Sequence, residues 1–240
     1  GSPVSTIVKG VKRAMAGEYS RELSGKVFAG QCRLIEMGFR QGGPAGYGLR
    51  RVLVDEHRQP KGTLKRGEHK SLQTDRVVLV AGPDEEIETV RWIYRAFTEE
   101  DLQESEIAAR LNQKGVKTDL GREWTRGVVH TILTNEKYIG NNVFNRRSFK
   151  LKKRRVNNTP DMWVRADGVF EAIIEARYFY TAQGIIRERS RRFSNDEMLT
   201  KLRALHEKQG WLSGILIDET DDMPSSSVYA HRFGGLTQAY

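Results

Sequence analysis

An α+β fold, mainly α, is what this sequence of 240 residues predicts, and three observations carry the prediction. Apolar residues recur at helical spacing along most of the chain, first as one narrow stripe of Val4, Val8, Val11, Met15, Tyr19, Leu23 and Val27. Strand character is confined to short stretches, β-branched at 51–55 and 76–80 and again at 137–145 and 161–174, enough for a small antiparallel sheet. Gly42, Gly43, Pro44, Gly46 and Gly48 interrupt the pattern between these two regimes, so residues 38–51 are expected to be a linker without regular structure.

Composition bounds the function. With 38% hydrophobic and 9% aromatic residues the chain can build real cores, and its net charge of +9 favours a polyanionic partner. No apolar run approaches the roughly 18 residues of a membrane span and no signal-peptide pattern opens the chain, so an intracellular protein without a membrane partner is expected. Cys32 stands alone, which excludes an internal disulfide and a cysteine-rich zinc site. His57, His69, His130, His206 and His231 are scattered singly, and the acids Asp218, Glu219, Asp221 and Asp222 lack ligand spacing, so no metal and no cofactor are expected. The glycine-rich segment lacks the Gly-Lys-Ser/Thr ending of a phosphate loop. Gly1 and Ser2 resemble a cloning remnant, and the chain is expected to be part of something longer.

The elements follow in order. Residues 3–37 form the long helix, about 50 Å at 1.5 Å per residue, too long for its stripe to be covered by a small domain. Gly17, Gly25 and Gly30 weaken it by about 1 kcal/mol each relative to alanine, so its second half is expected to need a partner. Arg40, Arg50 and Arg51 bracket the flexible stretch, as suits a segment lying along a narrow minor groove. The two β-branched runs are expected to pair. Pro83 opens a helix with Asp84, Glu85 and Glu86 in its first turn, where the helix dipole favours acids, and Ile87, Val90, Tyr94 and Phe97 on its apolar side.

Residues 104–134 read as two short helices joined by a turn. Ser105 is the expected N-cap of the first, whose inner side is Ile107, Ala108 and Leu111, with Gly115 at its left-handed end. Thr125 caps the second, Trp124 packs as a staple on Val129, and Val128, Ile132 and Leu133 complete the inner side. Arg126, His130, Thr131 and Thr134 share the opposite face and are the candidates for base contacts, since side chains near the start of such a helix reach base edges in the major groove. Residues 137–145 occupy the place of a wing. Arg146, Arg147, Lys150, Lys152, Lys153, Arg154 and Arg155 follow as the densest basic run and are candidates for phosphate contacts. A strand or hairpin turning at Asp167-Gly168 and a helix from 175 to about 192 complete this region. Residues 52–192 are therefore one expected domain, a winged helix-turn-helix.

The C-terminal module, 193–240, is expected to be helical. Ser194 and Glu197 form a capping box for a helix stopped at Gly210, Ser213 caps a short second helix, and Pro224 and Ser225 begin a third. On the third, Val228, Tyr229 and Phe233 face inward, and Ser226, Ser227 and His231 face outward as candidates for a second DNA contact in another helix-turn-helix.

In their order and spacing, EYSRELSGKVFAG at 18–30, GGPAGYGLRR at 42–51, the proline-opened helix, EIAARLNQKGV at 106–116, the pattern W-T-x-x-x-V-x-x-I-L-x-N at 124–135 and YIGNNVF at 138–144 resemble the recombinase domain of large serine recombinases. The likeness spans about residues 20–185. It implies sequence-specific binding of double-stranded DNA at an attachment half-site, the connecting helix crossing the minor groove and the winged helix-turn-helix reading the major groove. It further implies other recombinase subunits as partners, a bacterial mobile element or prophage as source, and a cytoplasmic, nucleoid-associated location. Set against that family, this stretch is expected to be without the nucleophile-bearing catalytic domain and the four-cysteine zinc ribbon. Ser20 and Ser24 are therefore not the nucleophile, no catalytic residue is assigned, and this chain is expected not to cut DNA. The module at 193–240 is similar to small helical repeats accompanying some mobile-element nucleases and recombinases. The rival readings are a winged helix-turn-helix transcription regulator, a metal-dependent nuclease and a protein-interaction module.

Overall fold

The structure, a computed structural model, describes residues 3–148, 155–189 and 193–239, and it divides into two compact units. The first comprises Gly1–Pro44, Arg51–Leu79 and Asn141–Phe170; the second comprises Ala45–Arg50, Val80–Gly140 and Glu171–Tyr240. Helices dominate and the sheets are small, as the α+β, mainly α expectation has it.

In the first unit α1 (Pro3–Glu36) runs unbroken through Gly17, Gly25 and Gly30, and its predicted stripe from Val4 to Val27 is exposed. Only its last turns are covered: Ile35 is buried, Phe28 stacks obliquely on Phe144 at 6.2 Å, and the helix packs on two short strands, β4 and β7 below. β1 (Leu49–Val54), β2 (Pro60–Leu64) and β3 (Arg76–Ala81) form a sheet in the order β2-β1-β3. The two β-branched runs do pair, but the polar excursion between them supplies an additional strand. Asp55 makes that strand possible by accepting the amides of His57 and Gln59 at 2.8 Å each, which closes the turn between β1 and β2. β1 also begins inside the segment expected to lack regular structure, because from Leu49 the backbone finds sheet partners.

β4 (Asn142–Phe144), β5 (Arg147–Ser148), β6 (Val156–Asn157) and β7 (Val164–Ala166) complete this unit, β4 pairing with β7 and β5 with β6, both antiparallel. The expected wing is thus only partly strand: Glu136–Ile139 is a 3-10 turn, and β4 takes its partner from beyond the basic run. Asn142, fully buried, holds the chain leaving α1 by donating to the Phe39 carbonyl and accepting from Arg40.

In the second unit α2 (Asp84–Thr98), α3 (Glu104–Gln113), α4 (Arg126–Leu133) and α5 (Ala176–Arg189) share one core. Val90, Ile93, Tyr94, Phe97, Ile107, Leu111, Val129, Ile132, Leu133 and Phe179 fill it, each worth about 1.5–3 kcal/mol of burial for the large aliphatic and aromatic side chains. Tyr94 carries a hydroxyl into that core and satisfies it on the Ile132 carbonyl at 2.9 Å. Residues before α2 are pinned at Gly82, where a Cβ would lie 2.9 Å from the Gly48 backbone and where the amide donates to the Gly48 carbonyl.

α6 (Asn195–Gln209), α7 (Gly214–Glu219), α8 (Ser226–Phe233) and α9 (Leu236–Ala239) form a module with its own core of Met198, Leu202, Leu205, Ile217, Met223, Tyr229 and Ala239. The Ser194–Glu197 capping box, the Ser213 cap and the Gly210 stop are all present. Val228, expected inside, is instead exposed, since Tyr229 takes the core position on α8.

Candidate nucleic-acid interface

α3 and α4 are positioned by their ends. The N-cap of α3 is Gln103, which exchanges capping-box bonds with Glu106; Ser105 lies within the first turn and donates its hydroxyl to Asp221. Gly115 ends the helix in the left-handed region, at φ 72°, as expected. The connection to α4, twelve residues from Lys114 to Thr125, is longer than a tight turn, and Asn112 holds it: its amide donates to the Trp124 carbonyl at 2.9 Å and its oxygen accepts the Trp124 amide at 2.8 Å. Trp124 is buried edge-on against Tyr47 at 4.9 Å. Thr125 then caps α4 by accepting from Val128.

The four residues expected on the outer face of α4 do not share one environment. Thr131 is exposed and Thr134 half-buried, each donating its hydroxyl to the carbonyl four residues back at 2.8 Å. His130 is half-exposed and bonded through Nδ1 to Glu104 at 2.7 Å. Arg126 does not project outward. Its side chain, 18% exposed, folds back so that Nε meets Glu104 at 3.1 Å and Asp221 at 3.4 Å, while Nη1 donates to the Asp218 carbonyl. Glu219 accepts the amides of Arg126 and Gly127 at 2.8 and 3.3 Å, where the unpaired amides and the dipole of α4 favour an anion.

Glu104 is the hub of this arrangement. Burial pushes its carboxyl up, but the hydrogen bond and charge of His130, together with Arg126, outweigh burial and leave it below the usual carboxylate range. Its position carried a signal: 104, 107, 108 and 111 form one helical stripe, so an acid on the core side required a buried partner. Its contacts with Arg126, and those of Asp218, Glu219 and Asp221 with α4, had no signal in local spacing, because 92 or more residues separate the C-terminal acids from α4.

Of the remaining candidates, Arg50 forms a two-pronged pair with Glu86, at 2.9 and 2.7 Å, and Glu86 also accepts the Gly48 amide; Arg50 is therefore committed to the frame of the second unit. In the first unit Arg40 is largely buried against Asn142, and burial lowers its pKa. Arg51 donates to the Lys65 carbonyl, and with Arg40, His69, Lys70 and Arg76 it lines a basic cleft of about 140 Å³ that also holds Glu68 and Asp75. Burial, then the charge of Arg76, lowers the Lys70 pKa, as expected where cations crowd. His69, Lys70 and Arg76 lie apart from the dense basic run and were not singled out by charge spacing.

Arg147 and Arg155 are exposed at β5 and just before β6, and Arg146 lies over the Trp163 ring at 5.0 Å. The base of this hairpin is clasped by Asn158, which donates to Asn145 and whose carbonyl accepts the Trp163 indole N–H at 2.9 Å. Lys150, Lys152, Lys153 and Arg154 lie outside the described residues. On α8, Ser226 bonds Asp218 through both its amide and hydroxyl, Ser227 shares a hydrogen with Ser225, and His231 is exposed. Among the described residues no group of three or more His, Cys, Asp or Glu side chains is arranged to hold a metal, and no helix is long and apolar enough to cross a membrane.

Residues 84–189, which span α2 to α5, match the Recombinase family model. Among solved structures it is similar to one described as the crystal structure of an LSR–DNA complex, at 20% identity and a TM-score of 0.44, covering 72% of this chain and 42% of that one. Another concerns the sequence requirements of the Listeria innocua prophage attP site, at 22% identity and a TM-score of 0.42, covering 75% of this chain and 58% of that one. The chain thus spans about half the length of these proteins. No curated protein matches it by sequence.

Proposed function

We propose that this chain is the DNA-binding part of a site-specific serine recombinase and binds one half of a double-stranded attachment site. The observation that carries the reading is the family match over 84–189, which includes the whole α3–α4 pair, in a chain of net charge +9. In this reading α4 enters the major groove, with Thr131, Thr134 and His130 at base edges and Arg126 beside them once it is released from its acidic neighbours. Arg146, Arg147 and Arg155, with Lys150, Lys152, Lys153 and Arg154 between β5 and β6, neutralise phosphates, and Arg40 and Arg51 serve the minor groove. Arg50, tied to Glu86, supports the fold instead. Ser227 and His231 form a second contact. The parent protein would act in the bacterial cytoplasm with further subunits joined along α1, forming a phosphoserine link to DNA through a catalytic serine supplied from outside the DNA-binding part. A stand-alone transcription regulator is less economical, because the matched family is that of recombinases.

Selection of bound duplexes from a random library, followed by affinity measurement across a salt series, tests the reading. A defined motif with a salt slope of about −0.9 per phosphate neutralised supports it. Binding with no sequence preference would refute half-site recognition, and release of DNA fragments in magnesium would refute the purely binding role.

A further inference from the structure

Besides Glu104 on α3, the groups that hold Arg126 come from the C-terminal module, and their arrangement resembles what a DNA backbone would offer. A phosphate at the start of a groove-entering helix takes backbone amides and a guanidinium. Here the Glu219 carboxylate takes the amides of Arg126 and Gly127, and Asp221 and the Asp218 carbonyl take the Arg126 guanidinium. Asp221 also receives the Ser105 hydroxyl, and Ser226 fixes the Asp218 carboxylate at 2.7 and 2.9 Å.

The packing around these groups points the same way independently. The module keeps its own apolar core, centred on Met198, Ile217 and Tyr229, and its hydrogen bonds and ion pairs to α3 and α4 border a cavity of about 560 Å³ whose wall also includes the apolar Phe97, Ile186, Phe193, Met198, Met223 and Val228. Glu104, Arg126, His130, Asp218, Asp221 and Asp222 all line that cavity. The polar contacts of this joint lie beside unfilled space, so they can exchange for other charges without first displacing packed side chains.

We propose that residues 218–222 are an autoinhibitory latch, occupying the start of α4 in place of a DNA phosphate and leaving it when DNA binds. The proposal rests on α4 being the groove-entering helix. Without DNA the latch shares Arg126 with Glu104 and covers the amides; with DNA, phosphates replace Glu219 and Asp221, and Arg126 leaves Glu104 to turn outward. Apparent affinity is then the intrinsic affinity scaled by the fraction of molecules that are unlatched.

The test compares the full chain with E219Q/D221N, with E219D, and with the control E171Q/E207Q, which removes two exposed acids elsewhere. Titration against the selected duplex should show E219Q/D221N binding roughly tenfold tighter than the unaltered chain, the scale of a typical coupling between sites. The control, with the same change in net charge, should gain much less. E219D keeps the charge but shortens the reach to the amides, and it should also tighten binding. Amide exchange at Arg126 and Gly127 should quicken in both latch variants, with thermal melts showing that each remains folded. Equal gains in the latch variant and the control, or weaker binding in the latch variant, would overturn the latch while leaving DNA binding intact. If none of the four proteins binds duplex DNA, the DNA-binding reading itself fails and the latch with it.

Discussion

Replacing Glu104 with alanine tests the physical centre of the site. The carboxylate is 9% exposed and serves two side chains, Arg126 at 3.1 Å and His130 at 2.7 Å. Removing one partner of a fully buried ion pair costs about 3–5 kcal/mol, because the other charge is left without compensation. Arg126 keeps Asp221 and His130 is half-exposed, so solvent and the remaining acid screen part of that loss, and we expect about 2–3 kcal/mol. For a chain of this size each kcal/mol moves the melting temperature by about 2–4 °C, so the variant should melt roughly 4–12 °C lower. Urea denaturation at neutral pH, with thermal melts, measures it. The pH dependence adds a second constraint. Because the folded-state pKa of Glu104 is depressed, the unfolded chain binds the proton more readily; the stabilisation is complete above the ordinary carboxylate pKa and is lost as pH falls through the depressed value. The gap between the unaltered chain and E104Q should therefore close in acid. A loss below about 0.5 kcal/mol, or a gap that widens on acidification, would refute the assignment of Glu104 as a buried, ionised hub.

Three further outcomes are expected. Asn112→Ala removes both bonds to the Trp124 backbone and should destabilise the second unit by about 1–3 kcal/mol, with faster amide exchange at Trp124; an unchanged midpoint in urea would mean that the connection is held by other groups. Gly82→Ala places a methyl group 2.9 Å from the Gly48 backbone and should cost about 1–3 kcal/mol in the same assay, so a neutral result would contradict that close approach. Reversing Lys152 and Lys153 to glutamate should weaken every duplex alike and flatten the salt slope by about 0.9 for each phosphate that is no longer neutralised; a defect confined to one base position would instead make these residues readers of sequence.

What the chain states locally was legible in it. Periodicity placed α2, α3 and α4, because a helix burying one face must repeat its apolar residues every three to four positions, and Val90, Tyr94, Ile107, Leu111, Val129 and Ile132 do so. Caps and stops at Thr125, Ser194, Ser213, Gly115 and Gly210 were equally legible, since each acts on backbone groups within a few residues of itself. Ser105 is not the cap because the helix begins two residues earlier, where Gln103 and Glu106 cap each other's amides. Tertiary structure alone decided which strand β4 would pair with, that Arg50 would be taken by Glu86, and that Arg126 would turn inward to Glu104 and Asp221. An ion pair leaves no periodic trace: its partners need only opposite charge and proximity, and proximity between residues 126 and 221 exists only after the helices between them have packed.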